Sequence, residues 1–248
     1  MKLSGNTIFI TGGTSGIGRA LAEALHKLDN QVIISGRRKA LLDEVTAANP
    51  GMKAVELDME SPESIKAVSA KLIADFPALN VLINNAGVMH LDNVAAPVDE
   101  QMLQTTIITN LMGPIRLTGA LIEHLEKQPS STVINVSSVL GFVPMAVSAV
   151  YSSTKAALHS YTMSLRWKLK DTSVRVLELS PPWVQTDLLN SKEEPRAMPL
   201  AEFISETIAV LGTDTNEVLV DGARDMRANP GVNEHAFVNQ FNDMFVQG

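Results

Sequence analysis

The sequence contains no cysteine, which excludes disulfide bonds, thiolate catalysis and metal sites with cysteine ligands. Its five histidines are scattered, without the spacing of a zinc-binding helix, and we therefore expect no metal site. Aromatic residues make up only 4% of the chain, no run of basic residues is present, and the net charge is -7. These properties argue against nucleic acid as a partner.

Long hydrophobic runs are also missing: no stretch reaches the ~18 apolar residues that a membrane span requires. The amino terminus enters a short apolar run that glycines interrupt at once. We expect a soluble, cytoplasmic protein with no membrane partner. The 248 residues, 45% of them hydrophobic, are enough to bury the core of a single α/β domain over residues 1–248.

Short β-rich runs alternate with longer amphipathic stretches, as in a parallel sheet with helical crossovers. The predicted strands are Thr7–Thr11, Val32–Ser35, Ala54–Leu57, Val81–Asn84, Thr132–Ser137, Val174–Leu179 and Glu217–Val220. The predicted helices are Ile17–Leu28, Lys39–Ala48, Pro62–Phe76, Glu100–Lys127, Ala149–Lys170 and Asn233–Val246. The pattern predicts an α/β fold built on a parallel sheet.

The least regular segment begins after the sixth predicted strand, where charged residues and two prolines lie between Thr186 and Pro199. A mobile lid over a pocket, at about residues 187–212, is one interpretation, and an ordinary surface loop is the other. The last part of the chain, about residues 223–248, is interpreted as a carboxyl-terminal tail.

The segment Thr11-Gly-Gly-Thr-Ser-Gly-Ile-Gly18 follows the first strand and opens the first helix. Small residues let the backbone approach a pyrophosphate, and the helix N-terminus offers free N–H groups and partial positive charge. A glycine-rich turn also serves as a plain tight turn. Its position between a strand and a helix favours a dinucleotide.

The end of the second strand, where a dinucleotide fold reads the adenosine ribose, carries Arg37 and Arg38 and no carboxylate. A guanidinium pairs with the 2′-phosphate of NADP, whereas a carboxylate accepts from the 2′-hydroxyl of NAD. NADP(H) is therefore favoured over NAD(H). Asp58, after the third strand, is predicted either to accept from the adenine amino group or to cap the next helix.

Tyr151 and Lys155 are four residues apart on a predicted helix, and Ser138 precedes Tyr151 by thirteen. An i, i+4 pair projects from one helix face, so the lysine can stabilise a tyrosinate. Lowering the phenol pKa from about 10 to about 7.5 requires roughly 3.4 kcal/mol. A cation at ~5 Å in an effective dielectric of ~20 provides roughly 3 kcal/mol.

These motifs together resemble the short-chain dehydrogenase/reductase family over essentially the whole chain. The glycine-rich turn is similar to the family's TGxxxGxG, Asn84-Asn85-Ala86-Gly87 to its NNAG element, and Asn110 to its helix asparagine, while Ser138, Tyr151 and Lys155 match its catalytic set. The resemblance implies a doubly wound, Rossmann-type sheet with helices on both faces and strand order 3-2-1-4-5-6-7. It also implies hydride transfer between nicotinamide and an alcohol or carbonyl carbon.

The resemblance also implies a role for each matching residue. Tyr151 donates the proton in reduction, Ser138 binds the substrate oxygen, and Asn110 holds a water that links Lys155 to solvent. The thirteen-residue spacing selects Ser138 over Ser137. The implied cofactor-binding residues are Gly12, Thr14, Ser15, Gly16, Ile17, Gly18, Arg37, Arg38, Asp58, Met59, Asn85, Ala86, Gly87, Tyr151, Lys155, Pro181, Val184 and Thr186.

One departure from the family follows the sixth strand, where Pro181-Pro182 replaces the usual Pro-Gly. A second proline removes an N–H and fixes φ near -65°. A bacterial branch resembling DltE-type oxidoreductases has a similar Pro-Pro. Val184 and Thr186 still match positions that contact the carboxamide and the phosphate.

The predicted substrate side combines Ser138 and Tyr151 with a mostly apolar set, suited to a small carbonyl or alcohol compound. The members of that set are Met89, His90, Leu140, Phe142, Val143 and Trp183. A solvated loop position is the alternative for His90, and ordinary core packing is the alternative for the others. By resemblance we expect a homodimer or homotetramer that works as an NADPH-dependent carbonyl reductase. The alternative is a catalytically idle NADP(H)-binding redox sensor or interaction protein.

Overall fold

Apolar residues alternate between the two faces of a central sheet in the computed structural model, which describes residues 1–246. In β1 (Thr7–Thr11), Ile8 and Ile10 join one hydrophobic cluster and Phe9 joins another. Because successive side chains of a strand point to opposite faces, helices must cover both sides of such a sheet. The strand is buried along nearly its whole length for that reason.

Seven parallel strands form the sheet in the order β3-β2-β1-β4-β5-β6-β7, which confirms the predicted topology. The remaining strands are β2 (Gln31–Gly36), β3 (Lys53–Glu56), β4 (Leu79–Asn84), β5 (Ser131–Val136), β6 (Val174–Leu179) and β7 (Glu217–Val218). The strand order reverses between β1 and β4, where a crevice opens at the carboxyl ends of the strands.

The helices divide between the two faces. They are α1 (Gly16–His26), α2 (Lys39–Ala48), α3 (Pro62–Asp75), α4 (Glu100–Ile107), α5 (Gly113–Glu126), α6 (Ala149–Lys168), α7 (Leu200–Leu211), α8 (Arg224–Arg227) and α9 (Glu234–Val246). Side chains of α1, α2 and α7 pack in one cluster, and those of α3 and α5 in the other. Ser61 caps α3 by accepting from Ser64 N–H, with Pro62 at the first helical position.

The structure differs from the predicted elements in the lid. Its second half, Leu200–Leu211, is the helix α7, whose Phe203 is fully buried. The helix begins after Pro199 and packs on α1, so it belongs to the core. The lid interpretation is therefore limited to residues 187–199. The last strand is shorter than predicted and ends at Val218.

The predicted helix Glu100–Lys127 is also divided, because a π-helical turn at Ile108–Met112 separates α4 from α5. The predicted tail helix is α9, although residues 247 and 248 lie outside the described residues. Within residues 1–246, the helices are all too short or too polar to cross a membrane.

Candidate active site

The glycine-rich turn between β1 and α1 is packed so closely that side chains would not fit. Gly12 has φ +70°, and a Cβ there would lie 2.9 Å from Ala86 Cα. At Gly18 a Cβ would lie 2.3 Å from Asn85 Nδ2. The same Asn85 Nδ2 donates to the Thr11 carbonyl at 2.9 Å. These contacts hold the turn against the loop that follows β4.

The first turn of α1 follows Ser15, which is extended, and no side chain of the described residues caps it. Free N–H groups at a helix N-terminus bind phosphate well. The turn opens into a cavity of about 710 Å³ that reaches Tyr151. Every residue predicted to bind the cofactor lines this cavity. The turn, the uncapped helix and the cavity therefore fit a dinucleotide.

The two arginines at the ribose end differ in their contacts. Arg37 Nη1 lies 3.1 Å from Glu60 Oε1, and both residues line the cavity. The Arg37 side chain is 61% exposed, so this ion pair is weak and open to exchange with another anion. Arg38 precedes α2. Asp58 does not cap α3, since Ser61 does; its Oδ1 accepts from Glu60 N–H at 3.0 Å.

Tyr151 also lines the cavity, from the first turn of α6, and is buried. Burial raises the pKa of its phenol to about 12, while a hydrogen bond with the Ser138 hydroxyl acts in the opposite direction. Ser138 is extended and caps a short 3-10 helix, its Oγ accepting from Leu140 N–H at 3.1 Å. The phenol is consequently neutral at physiological pH.

Lys155 lies one turn further along α6, with Nζ 5.4 Å from the centre of the Tyr151 ring. Nζ donates to the Val136 carbonyl at 2.8 Å. Burial lowers the pKa of Lys155 to about 8, and the carboxylate of Glu178 partly opposes that effect.

The expectation that Lys155 brings the Tyr151 pKa toward neutrality is wrong, because the pKa moves in the other direction. A phenol that ionises near pH 12 does so after a lysine with a pKa of about 8 has lost its charge. The lysine can therefore stabilise a tyrosinate only below about pH 8, while it is still an ammonium.

Asn110 is fully buried in the π-helical turn Ile108–Met112. Its Nδ2 donates to the carbonyl of Val88, which lines the cavity, and to Thr154 Oγ1. The residue four positions on is Pro114, which has no N–H, so the Asn110 carbonyl lacks its α-helical donor. A Cβ at Gly87 would lie 3.3 Å from Asn110 Oδ1 and 3.7 Å from Lys155 Nζ, which brings both side chains to one place.

The arrangement agrees with what comparison with known proteins shows. The model of the short chain dehydrogenase family matches residues 6–197. The chain belongs to this family. The oxidoreductase DltE of Bacillus subtilis is 37% identical over 235 residues, covering 91% of this chain and 93% of its own. The short chain dehydrogenases are NAD(P)-dependent oxidoreductases, and the protein is an enzyme of that kind.

Two solved structures of similar proteins share the fold. A short chain dehydrogenase from Burkholderia cenocepacia in complex with NADP has a TM-score of 0.85 at 24% identity, covering 97% of this chain and 98% of that chain. The 3-ketoacyl-(acyl-carrier-protein) reductase of Brucella melitensis, complexed with NADH, has a TM-score of 0.81 at 26% identity, with coverage of 90% and 99%.

The Pro-Pro departure from the short chain dehydrogenase pattern is accommodated within the loop after β6. Both prolines line the cavity, and the Pro181 carbonyl accepts from Val139 N–H at 3.1 Å. Trp183, also in the cavity wall, donates from Nε1 to Ser191 Oγ at 2.7 Å. The Arg196 guanidinium stacks 5.0 Å from the centre of its ring. These contacts tie the 187–199 segment to the cavity wall.

The predicted substrate residues fall into three groups. Met89, Leu140 and Trp183 line the cavity. His90 is exposed and does not line the cavity. Its backbone carbonyl accepts a hydrogen bond from Ser148 Oγ. Phe142 and Val143 are core residues, and Phe142 packs edge-on against His159 at 4.9 Å.

Met145, Met226 and Phe241 are among the apolar residues of the cavity wall that sequence reasoning missed. Met226 and Phe241 belong to α8 and α9, near the end of the chain. The amphipathic pattern predicts α9 but not the surface on which it packs. Asn242 holds the helix there, since its Nδ2 donates to the Pro144 carbonyl at 2.9 Å and its Oδ1 accepts from Ala146 N–H.

A cluster of buried charges behind Lys155 was also missed. Ser137, rejected in favour of Ser138, donates from Oγ to Glu178 Oε1 at 2.5 Å. His159, Glu178 and Glu217 bring potential ligand atoms within 4.8 Å of one another. Both carboxylate oxygens of Glu217 already accept from Arg227, so a guanidinium supplies the positive charge at this place.

Proposed function

We propose that the protein is an NADP(H)-dependent carbonyl reductase that acts on small, largely apolar carbonyl compounds. The observation that carries the proposal is the buried phenol of Tyr151, which lies with Ser138 and Lys155 at the wall of a cavity that also contains the phosphate-binding turn. When bound, the reduced nicotinamide nucleotide supplies a hydride.

Tyr151 acts as the general acid in this proposal. A carbonyl oxygen gains negative charge as its carbon accepts hydride, and a neutral phenol within hydrogen-bond distance can give it a proton. Because the pKa of Tyr151 is raised to about 12, the phenol keeps its proton at any physiological pH.

Ser138 binds the same substrate oxygen and orients it. Its hydroxyl already bonds to the phenol, so one oxygen between the two groups would be held by both. Ser137 has no such role in the proposal, because Glu178 accepts its proton.

Lys155, when charged, stabilises the phenolate that Tyr151 becomes after it has donated its proton. Burial raises the phenol pKa by about two units, equivalent to roughly 2.7 kcal/mol. An ammonium 5.4 Å from the ring attracts a phenolate by roughly 3 kcal/mol at an effective dielectric of ~20. This attraction acts only while Lys155 is charged. Asn110 is proposed to hold, through its backbone carbonyl, the water that connects Lys155 to solvent.

Specificity for NADP(H) is proposed to come from Arg37 and Arg38. Both line the cavity beside the glycine-rich turn, and no carboxylate stands at the end of β2. The adenine amino group is assigned to Asp58, whose second carboxylate oxygen remains for it. Met89, Leu140, Trp183, Met145, Met226 and Phe241 would bind the apolar part of the substrate.

A homodimer or homotetramer is proposed as the working assembly. Met163 and Trp167, four residues apart on α6, are 45% and 67% exposed. Large apolar side chains repeated on one helix face are common where copies of a chain associate.

The test is NADPH consumption with a panel of aldehydes, ketones, diketones and quinones, with NADH in parallel and direct cofactor titration as a control. Turnover with NADPH is the expected result. Tight cofactor binding without turnover on the whole panel would contradict the proposal and favour an NADP(H)-binding protein.

A further inference from the structure

Glu178 is a carboxylate that the proposed reaction does not use. It lies near the carboxyl end of β6 and is completely buried. Its partners among the described residues are Ser137 Oγ at 2.5 Å, Ser180 Oγ at 3.4 Å and His159 Nδ1 at 2.7 Å. A buried anion costs several kcal/mol unless a charge elsewhere compensates it, so its presence requires a reason.

The geometry links Glu178 to Lys155 on two sides. Tyr151, Lys155 and His159 follow at intervals of four along α6 and share one face. Lys155 donates to the Val136 carbonyl, and the next residue, Ser137, donates to Glu178. On the other side, His159 of α6 is hydrogen-bonded through Nδ1 to the same carboxylate.

Other charged groups around Glu178 are already matched. On β7, Glu217 binds Arg227 of α8 through both oxygens, at 2.8 and 2.9 Å. The Arg227 guanidinium also stacks on Phe142, 4.7 Å from its ring centre. Arg166, further along α6, donates to the carbonyls of Val176 and Asn216. Of the cationic groups near Glu178 in the described part of the chain, His159 and Arg227 are partly exposed, and Lys155 is the one that is buried.

We propose that Glu178 is a positioning residue that holds the Lys155 amine in its ammonium form. Ser137 and His159 keep the carboxylate in place and satisfy it by hydrogen bonds. Burial of Lys155 favours its neutral amine, whereas the negative charge of Glu178 favours the ammonium. Only a charged Lys155 can stabilise the tyrosinate, so the buried anion extends the pH range in which the proton donor works. This last statement rests on the proposed function, whereas the charge of Lys155 does not.

The experiment measures the Lys155 pKa directly, by NMR titration of lysine side chains labelled with ¹³C at Cε, with Lys155→Met to assign the signal. In Glu178→Gln the carboxylate is replaced by an amide of the same shape. We expect the Lys155 pKa to fall by about one unit, the size of effect that a nearby opposite charge produces. An unchanged pKa would overturn the proposal.

Two further variants separate charge from hydrogen bonding. Glu178→Asp retains the carboxylate but retracts it, and we expect a fall in the same direction of about half the size. It also serves as the test if the amide variant does not fold. His159→Gln disturbs the same buried network and leaves the charge, so the Lys155 pKa should not fall. A fall equal to that in Glu178→Gln would assign the effect to disruption of the network and would refute the role of the charge.

The kinetic readout is the pH dependence of kcat/KM for NADPH-dependent reduction. Its alkaline limb should move to lower pH by about one unit in Glu178→Gln. If the NMR shift occurs and the wild-type protein turns over no substrate, the proposed function fails while the inference about Glu178 stands. If the wild-type protein is active and the NMR titration is unchanged, only the inference fails.

Discussion

Asn110 and Val88 are joined by two reciprocal hydrogen bonds, from Val88 N–H to Asn110 Oδ1 and from Asn110 Nδ2 to the Val88 carbonyl, both 2.8 Å long. The pair connects the π-helical turn to the loop after β4, which lines the cofactor end of the cavity. The side chain of Asn110 is thus fully engaged in structure. Any chemical contribution of this residue has to come from its backbone.

Replacing Asn110 by alanine should destabilise the protein, because a buried N–H and a buried carbonyl lose their partners. The expected loss in the free energy of unfolding is roughly 2 kcal/mol, measured by urea denaturation. Thr154→Val leaves both bonds between Asn110 and Val88 in place. It removes the 3.3 Å hydrogen bond from Asn110 Nδ2 to Thr154 Oγ1 and the bond from Thr154 Oγ1 to the Tyr151 carbonyl. A larger loss in that variant than in Asn110→Ala would show that Val88 is not the main partner.

Tyr151→Phe should reduce turnover by at least roughly 100-fold, since a positioned general acid contributes that much or more. Cofactor affinity should stay within a few-fold. The matched control is Tyr161→Phe, which removes the other tyrosine hydroxyl of α6 at a position outside the cavity wall. Equal activities of the two variants in steady-state assays would exclude Tyr151 as the proton donor.

Reductase activity should decline as the pH rises through about 8, where Lys155 loses its charge. Tyr151, with its pKa raised to about 12, stays protonated across that range. A profile of kcat/KM from about pH 6 to about pH 10 tests this. As a control, samples are returned to neutral pH to verify that they recover full activity. An alkaline limb that begins only above about pH 10 would contradict the assignment.

The stability of the protein should carry the signature of the same lysine. The pKa of Lys155 is about 8 when folded, against an ordinary value of 10.5, so the unfolded chain binds more protons between these values. Stability therefore rises with pH in that window, and the cost of burying the ammonium is complete below it. Between about pH 7.5 and about pH 9.5, the wild type should gain roughly 2 kcal/mol relative to Lys155→Met in urea unfolding. Parallel curves for the two proteins would disprove the lowered pKa.

Arg37→Asp should weaken the binding of NADPH far more than that of NADH. The structure supplies a second variant of opposite effect, because Glu60 competes for the same guanidinium at 3.1 Å. Glu60→Gln should free Arg37 and strengthen NADPH binding by a few-fold, with little change for NADH. Calorimetric titration with both nucleotides measures the difference. Equal effects on the two nucleotides would mean that Arg37 does not read the 2′-phosphate.

Local signals in the sequence were sufficient to predict the alternation of strands and helices and the cofactor side of the cavity wall, whereas the strand order came from the family resemblance. Strands such as β2 contain an apolar β-branched run, Val32–Ile34, and the glycine-rich turn lies between a strand and a helix. The helix α7 had a signal too: Pro199 at its start and buried Phe203, Ile204, Thr207 and Leu211 at helical spacing. The charges and prolines before it concealed that signal.

The position of Glu178 was beyond sequence reasoning for a different reason. It is a lone carboxylate in the strand sequence VRVLEL, on the face that carries the buried Val174 and Val176. Its partners Ser137 and His159 come from β5's end and from α6, and only the packing of three elements brings them together. For His90 the sequence left a substrate contact and a solvated loop position open, and the structure agrees with the second, since Met89 lines the cavity while His90 is exposed.

The placement of α9 separates part of the substrate-binding surface from the residues that carry out the proton transfer. Phe241 contributes to the cavity wall from a helix that Asn242 fastens to the 144–146 loop, far along the chain from Ser138 and Tyr151. Changes in that helix would reshape the space beside the reacting carbon and leave the proton donor where it is. The fold can thus acquire new substrates by revising its last helix, with the chemistry conserved in the sheet's crevice.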